Sequence, residues 1–546
     1  MAKMTGGQAI VRTLTSHGID VIFGLPGVQL DNTFDALFEA QNTIRTIHTR
    51  HEQGAAYMAL GYAQASGKVG ACIVGPGPGL LNAGAALCTA AASNVPVFCI
   101  AGQLPSSQIG GGVGMTHEIR DQSAAMRGVV KWVGRAETAA DAPRVIQEGF
   151  REMLETRHQP VVFEMAPDIM GREEDVTLLD PELLNPEEYA AEFMLDEATL
   201  TEVAALLANA DSPAIFAGSG VFGAETELRW VAKLLEAPVI MSRTGRGAID
   251  DADYHAQGMI AGQTIWKNVD VALVVGTRFT TPMLAWGREN DVKIIRIDID
   301  AEQARKPREA DITIISGAQA GLQALAERIA PQNRVRPSRE DELRAAKAEA
   351  QAGLETLDPQ YGFARVIRDE VPENGVIVTD VTQMATYLQN WMPVHQSRTL
   401  ITPSYQATLG YAFPTALGAQ VALPDRKVVC ISGDGGFMFN VQELSTAVAH
   451  GIDVVTIVFS DSAFGNVKRF QKENYGGRHI SVELHNPDFA ALAQTFGMTG
   501  IRAETPEALR AALREAFAAP GPALIEVPVG EMPSIWKLIQ RPSSAS

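Results

Sequence analysis

No run of 18 apolar residues occurs anywhere in the 546-residue chain, so no segment is long enough to cross a bilayer as a helix. The opening residues, MAKMTGGQAIV, carry no apolar core of a secretory leader. Cysteine is scarce. Cys72, Cys88, Cys99 and Cys430 all lie in apolar runs, and none stands at metal-ligand spacing. They read as small buried hydrophobes in a reducing compartment, which makes the cytoplasm the expected location. Positive charge is also short: 45 Lys and Arg stand against 64 Asp and Glu, a net charge of −19. That balance argues against a nucleic-acid or anionic-membrane partner. No short-period repeat is present.

What is present belongs to an ordinary globular chain, with 46% hydrophobic and 20% charged residues and length enough for several domains. In residues 1–185 short apolar runs end at Gly-rich loops and give way to helical patterns. Val21-Ile22-Phe23 ends at Gly24-Leu25-Pro26-Gly27, Ala71 to Val74 at Gly75 to Gly79, and Val95 to Ala101 at Gly102-Gln103. Strand, loop and helix in repetition predict a parallel sheet covered on both faces. An acidic, Pro-containing segment from Glu173 to Glu188 reads as a linker. Residues 195–335 repeat the theme, a charged and partly helical linker follows to about Asp358, and residues 358–535 form a third unit. The expected fold is therefore three doubly wound α/β domains, with a frayed tail from Arg541.

One stretch carries the strongest chemical signal. A buried-strand pattern at Val428 to Ile431 ends in Gly433-Asp434-Gly435; after a helical pattern and Gly451, a second strand pattern, Val454 to Phe459, ends at Ser460-Asp461. Asp434 and Asp461 thus both fall at carboxyl ends of strands joined by a crossover, where open parallel sheets bind ligands. Two carboxylates there, with loop carbonyls and phosphate oxygens, suit magnesium. Read alone, Gly-Asp-Gly is equally a strand-ending turn and Asp461 a helix cap. Glu52, after His51, opens a helical segment of small residues; read alone, it is a first-turn acid favoured by the helix dipole.

The spacing of 27 residues from Asp434 to Asp461 resembles the thiamine-diphosphate binding motif, with Ser460-Asp461 where relatives carry Asn-Asn. Together with Glu52 and the loops at 24–27 and 75–79, the chain resembles the acetolactate (acetohydroxyacid) synthase group of thiamine-diphosphate enzymes over nearly its whole length. That resemblance implies pyrimidine-binding, central Rossmann-like and diphosphate-binding domains. It implies Glu52 as the group that activates the cofactor's pyrimidine, and Asp434, Asp461 and the Ala463 carbonyl as magnesium ligands. Cofactor contacts would extend over Gly27, Gln383, Gly433, Gly435, Gly436, Phe464 and Gly465. Leu409 would wedge the cofactor into its bent form, and the Ala407 carbonyl would receive the aminopyrimidine.

The implied reaction is decarboxylation or ligation of a small 2-keto acid with a carbonyl acceptor, in a homodimer or dimer of dimers (a homotetramer). Gly218-Ser219-Gly220, Gly276 to Phe279 and Ile297 to Asp300 resemble segments that hold FAD in these synthases; the same fold persists without flavin, so FAD stays open.

Departures cluster at the substrate. The acceptor-gripping Arg of the synthases is replaced in Phe279-Thr280-Thr281-Pro282. Phe470 stands for their selecting Trp, and Thr116-His117 precede Glu118 where they have Phe-Gln. His117 is a candidate proton donor; His51 and Gln103 are further pocket candidates. Other chemistry on the same cofactor (aldehyde ligation, diketone cleavage, acyl-CoA decarboxylation) is the alternative. A non-enzymatic nucleotide-binding homologue is a rival that retention of Glu52 and Asp434 disfavours.

Overall fold

Eight strands organise the first domain of the computed structural model, which describes residues 1–181, 195–287 and 291–539. They are β1 (Ala2–Thr5), β2 (Val21–Gly24), β3 (Arg45–His48), β4 (Gly70–Val74), β5 (Val97–Gly102), β6 (Trp132–Ala136), β7 (Val161–Met165) and β8 (Glu173–Val176). Six of them form a parallel sheet in the order β3-β2-β4-β5-β7-β6. The order reverses between β2 and β4, which opens a crevice beyond their carboxyl ends. Both Gly-rich loops, 24–27 and 75–79, leave the sheet there. Strands β4, β5 and β7 are buried throughout, which is why they read as continuous apolar runs.

The acidic stretch assigned to a linker begins instead as a strand. Glu173 to Val176 pair antiparallel with Ala2 to Thr5. Val176 and Met4 are buried while Glu173 is exposed, so a single apolar anchor among acids was enough to set the pairing. Glu182, Pro186, Glu187, Glu188 and the tail from Arg541 lie outside the described residues.

The central sheet contains β9 (Ala214–Ala217), β10 (Val239–Met241), β11 (Ala256–Gln257), β12 (Val271–Val275), β13 (Lys293–Asp298) and β14 (Ile312–Ile315), ordered β11-β10-β9-β12-β13-β14 and parallel throughout. The charged segment after it holds a 16-residue helix, Glu340–Glu355, anchored by buried Leu343 and Leu354. The third sheet contains β15 (Val376–Thr379), β16 (Leu400–Ile401), β17 (Val428–Gly433), β18 (Val455–Ser460), β19 (Thr499–Arg502) and β20 (Ala523–Pro528), ordered β16-β15-β17-β18-β20-β19. Its reversal lies between β15 and β17.

Two compact units result. One takes in the first domain with Gly375–Thr382 and Pro403–Val529; the other takes in the central domain with Gln383–Thr402 and the stretch from Gly530. Within the first unit the Glu52–Ser66 helix lies against the Ala412–Ala422 helix at backbone distance. A side chain on Gly61 would strike the Thr415 carbonyl, and one on Gly418 the Met58 carbonyl. The small residues that the sequence places on these two helices are thus consumed by their mutual contact.

That contact is reinforced by a buried acid. Glu443 is fully buried; both its oxygens accept the Arg50 N–H, and the Thr446 hydroxyl donates to it. Burial pushes its carboxyl up to about 7 despite these donors. The folded value lies above the ordinary one, so the folded state holds this proton while the unfolded chain loses it. Stability is therefore full below the ordinary carboxylate range and falls as pH rises toward 7, by about 3 kcal/mol for this group at 1.36 kcal/mol per unit. Glu443→Gln is expected to flatten that slope: between pH 5 and 7.5 the melting temperature of the parent should drop more than that of the variant. Equal slopes would mean that Glu443 keeps its charge in the fold.

Candidate functional site

The first half of the site is built on the crevice of the first sheet. His51 caps the Glu52–Ser66 helix, its Nδ1 accepting the Gln53 N–H at 3.1 Å. The cap places Glu52 in the first turn, half-buried, where Asn82 Nδ2 donates to its Oε2 at 3.0 Å. A side chain on Gly79 would meet Glu52 Oε1 at 3.1 Å, so the glycine leaves room for the carboxylate. Two residues earlier Gly77 has φ +56°, and a side chain there would strike the His117 carbonyl. Its N–H donates to Gln122 Oε1 at 2.7 Å. The 75–79 loop therefore approaches His117 at Gly77 and Glu52 at Gly79.

His117 itself adopts φ +67°, a left-handed conformation that costs energy for any residue but glycine. Its Nδ1 lies 2.9 Å from Gln29 Nε2. Glu118 holds the loop closed by accepting the N–H groups of Gly112, Gly114 and Met115, and these donors hold its carboxyl below the usual range. Thr116 is exposed on the same loop. Gln103 is not brought to this group. It is 5% exposed, its Oε1 accepts the Leu104 N–H, and its Nε2 faces the buried Glu164 that pairs with Arg135. Gly27 is open, with nothing near the position of a side chain.

The second half lies at the reversal of the third sheet. Asp434 is 2% exposed and opens a short helical turn, Asp434–Phe437. Its Oδ1 accepts the Gly435 N–H at 2.8 Å; its Oδ2 accepts the Ser462 N–H at 2.8 Å, Asn486 Nδ2 at 2.6 Å and Ser460 Oγ at 3.4 Å. Ser460, the departure from the usual Asn, thus serves as a donor to the carboxylate. Burial raises the Asp434 carboxyl, and burial together with Asp434 pushes Asp461 up to about 6. Asp461 Oδ1 accepts the Ala463 N–H at 3.1 Å. A side chain on Gly435 would meet the Phe464 ring at 2.8 Å, and Gly465 opens the Gly465–Asn474 helix that carries Phe470. Phe470 is half exposed, with the Arg469 guanidinium 4.7 Å from its ring centre.

Sequence reading missed Asp380. It is buried at the end of β15, where Ser432 Oγ donates to its Oδ2 at 3.1 Å and where a side chain on Gly436 would meet that oxygen at 2.7 Å. Burial pushes its carboxyl up to about 6. Asp380 thereby ties the Gly433–Gly436 turn to its neighbouring strand, a role that no local sequence pattern announces. The adjoining loop is strained at Ala407, where φ is +51°; Gly410 takes φ +79°, which glycine adopts freely, and its carbonyl accepts Asn440 Nδ2 at 2.7 Å. Leu409 is partly buried between them.

In the second unit Gln383 opens the Gln383–Trp391 helix, and Pro282 is buried in the Thr280–Ala285 helix. Side chains on Gly218, Gly220 or Gly276 would collide with the backbone or side chains of Gly220, Gly276 and Thr277, so these glycines are accounted for by their own crossing. Among the described residues no three His, Cys, Asp or Glu side chains converge as a metal cluster, and no helix is long and apolar enough to cross a membrane.

Residues 4–125 match the N-terminal TPP binding domain of the thiamine pyrophosphate enzymes, residues 200–325 their central domain and residues 380–527 their C-terminal TPP binding domain. The chain belongs to the thiamine pyrophosphate enzyme family. This thiamine pyrophosphate enzyme is similar to the acetolactate synthase large subunit of Haemophilus influenzae, at 32% identity over 95% of the chain and 93% of the relative. It is also similar to acetolactate synthase isozyme 2 large subunit of Escherichia coli, at 30% over 100% and 99%, and to a probable acetolactate synthase large subunit of Methanococcus aeolicus, at 30% over 96% and 92%. It is thus a thiamine-diphosphate-dependent enzyme of C–C bonds, acetolactate synthase-like, with the three-domain fold of that family.

Proposed function

We propose that this enzyme decarboxylates a small 2-keto acid, pyruvate in the simplest case, and joins the remaining fragment to a carbonyl acceptor. The observation that carries the proposal is the arrangement of Glu52 and His117 against one glycine loop, at Gly79 and Gly77, beside the crevice of the first sheet. When bound, thiamine diphosphate supplies a thiazolium carbon that adds to the keto group and accepts the electron pair released with carbon dioxide.

The residues present fit that cofactor. Asp434 is buried and Asp461 partly so, and their carboxylates oppose each other, an arrangement that a divalent cation relieves. Magnesium would be held by these two carboxylates and the Ala463 carbonyl, with the backbone of Gly433 to Gly436, Phe464 and Gly465 beside the diphosphate. Gly27 and the Ala407 carbonyl would meet the pyrimidine, and Leu409 would lie beneath it. Glu52 would hold and share a proton at the pyrimidine nitrogen, with Asn82 fixing the orientation of its carboxyl. His117 would donate a hydrogen bond to the acceptor oxygen. Thr116, His51 and Phe470 would complete the pocket. The glycine crossing at 218–220 and 276 needs no flavin to explain it, so no step is assigned to FAD. The compartment proposed is the cytoplasm, and the assembly a dimer or dimer of dimers.

Pro282 cannot grip a carboxylate as the bidentate Arg of the synthases does. Neutral acceptors are therefore expected to be favoured over a second pyruvate. The check is to incubate the enzyme with pyruvate and a panel of 2-keto acids, aldehydes and diketones and to identify the products. Mixed acyloins should exceed acetolactate at equal acceptor concentration. Rapid acetolactate formation saturating at low pyruvate would contradict the proposed preference. Carbon dioxide release from none of the 2-keto acids would overturn the function.

A further inference from the structure

We propose that Gln29 is the positioning residue of His117, holding its ring as a neutral imidazole that presents Nε2–H to the oxygen of a carbonyl acceptor. The inference rests on the reading of His117 as a pocket residue. It starts from the 2.9 Å contact between Gln29 Nε2 and His117 Nδ1. In this orientation the amide nitrogen donates, so Nδ1 accepts and the ring proton resides on Nε2. An Nδ1–H would face that donor unless the amide turned over. Gln29 thus favours the tautomer with its proton on Nε2. A neutral imidazole donates a hydrogen bond without giving up its proton, which suits polarising a carbonyl rather than protonating a leaving group.

The surrounding contacts show why this role falls to Gln29 and not to the loop at large. The His117 backbone is fixed independently, by its carbonyl against Gly77, by the Gly77 N–H to Gln122 Oε1, and by Gln122 Nε2 to the Gly102 carbonyl at 3.0 Å. Glu118 fastens the preceding turn through three backbone N–H groups. None of these contacts constrains the imidazole ring. Gln29 does, and it is itself seated: a side chain on Gly102 would touch its Cβ at 3.6 Å. Two carboxylates stand on the neighbouring segments. Glu118 is engaged with the backbone, and Glu52 with Asn82 Nδ2. Gln29 is the ring partner that these contacts leave to set the proton.

The test uses the full-length enzyme with cofactor and 15N-labelled histidine, the His117 ring signals being assigned by their loss in His117→Asn. In the parent, Nδ1 is expected to be unprotonated and Nε2 protonated near neutral pH. Gln29→Glu should move the proton to Nδ1 and raise the midpoint of the ring titration by about one unit or more, the usual effect of an adjacent carboxylate. Gln29→Leu should leave both tautomers populated. The pH profile of kcat/KM with an aldehyde acceptor should shift in the same direction in Gln29→Glu, with melting temperature little changed. A parent ring protonated at Nδ1, or a titration unaltered by Gln29→Glu, overturns the proposal. The underlying reading fails separately: if His117→Ala leaves kcat/KM for the acceptor unchanged while Gln29→Glu still moves the titration, Gln29 positions a histidine that takes no part in ligation.

Discussion

Glu52→Gln should keep the fold and the cofactor yet slow exchange of the thiazolium proton by two orders of magnitude or more. The change is isosteric at a half-buried site, so the structural cost is small. Asn82 Nδ2 still finds the side-chain oxygen, and the space left by Gly79 still admits the group. What disappears is the ability to hold and share a proton, and removal of a positioned acid–base group costs about 10²–10⁴-fold. The surroundings of Glu52 support this reading over that of a dipole-favoured surface acid. A first-turn acid that served only the helix would not need a glycine opposite it or an asparagine from another helix bound to its oxygen. Proton exchange followed by NMR in the loaded enzyme separates the two, and an unchanged rate in Glu52→Gln would remove the residue from the mechanism.

What the sequence made legible follows from how far apart the interacting residues lie in the chain. Strands covered on both faces, such as β4, β5 and β17, must be continuously apolar and can be read directly. Several edge strands are different: β11 and β16 have two residues each, and β6 and β19 carry Arg135 and Arg502, so no apolar run announces them. The same rule governs the site. Asp434 and Asp461 were legible because one crossover unit contains both. Asp380 acts on a turn more than 50 residues away, Asn486 reaches back 52 residues to Asp434, Gln29 meets His117 across 88 and Glu443 meets Arg50 across 393. No local pattern encodes such partners. Gln103 shows the converse: its position after a Gly at a strand end suggested a pocket residue, yet its amide faces the buried Glu164 carboxyl.

Mixing two inactive variants should restore activity. Asp434→Ala removes one of the two carboxylates that oppose each other at the proposed magnesium site. It also leaves the Asn486 amide and the Ser462 N–H without their acceptor, so cofactor affinity and activity should both be lost. Glu52→Gln is inactive for a different reason, at the other half of the site. If one chain supplied both halves, a mixture of the two variants would stay inactive. The family resemblance implies instead that the first domain of one chain faces the third domain of another. The surface of this chain agrees with a covered face beside both halves: Val28 is 80% exposed and Leu81 50% near the first crevice, and Phe439 is 50% and Met438 40% exposed next to the Asp434 turn. Apolar side chains of that size, gathered at loops, mark a contact surface. In a two-fold dimer each mixed pair has one site with both lesions and one with neither. Random reassortment makes half of the pairs mixed, so activity should return to about a quarter of the parent's level. The counterforce is visible within the chain, where Glu443 ties Arg50, two residues before Glu52, to the segment following Asp434. No recovery in a mixture shown by mass spectrometry to contain mixed dimers would mean that this internal tie brings both halves of the site together in one chain.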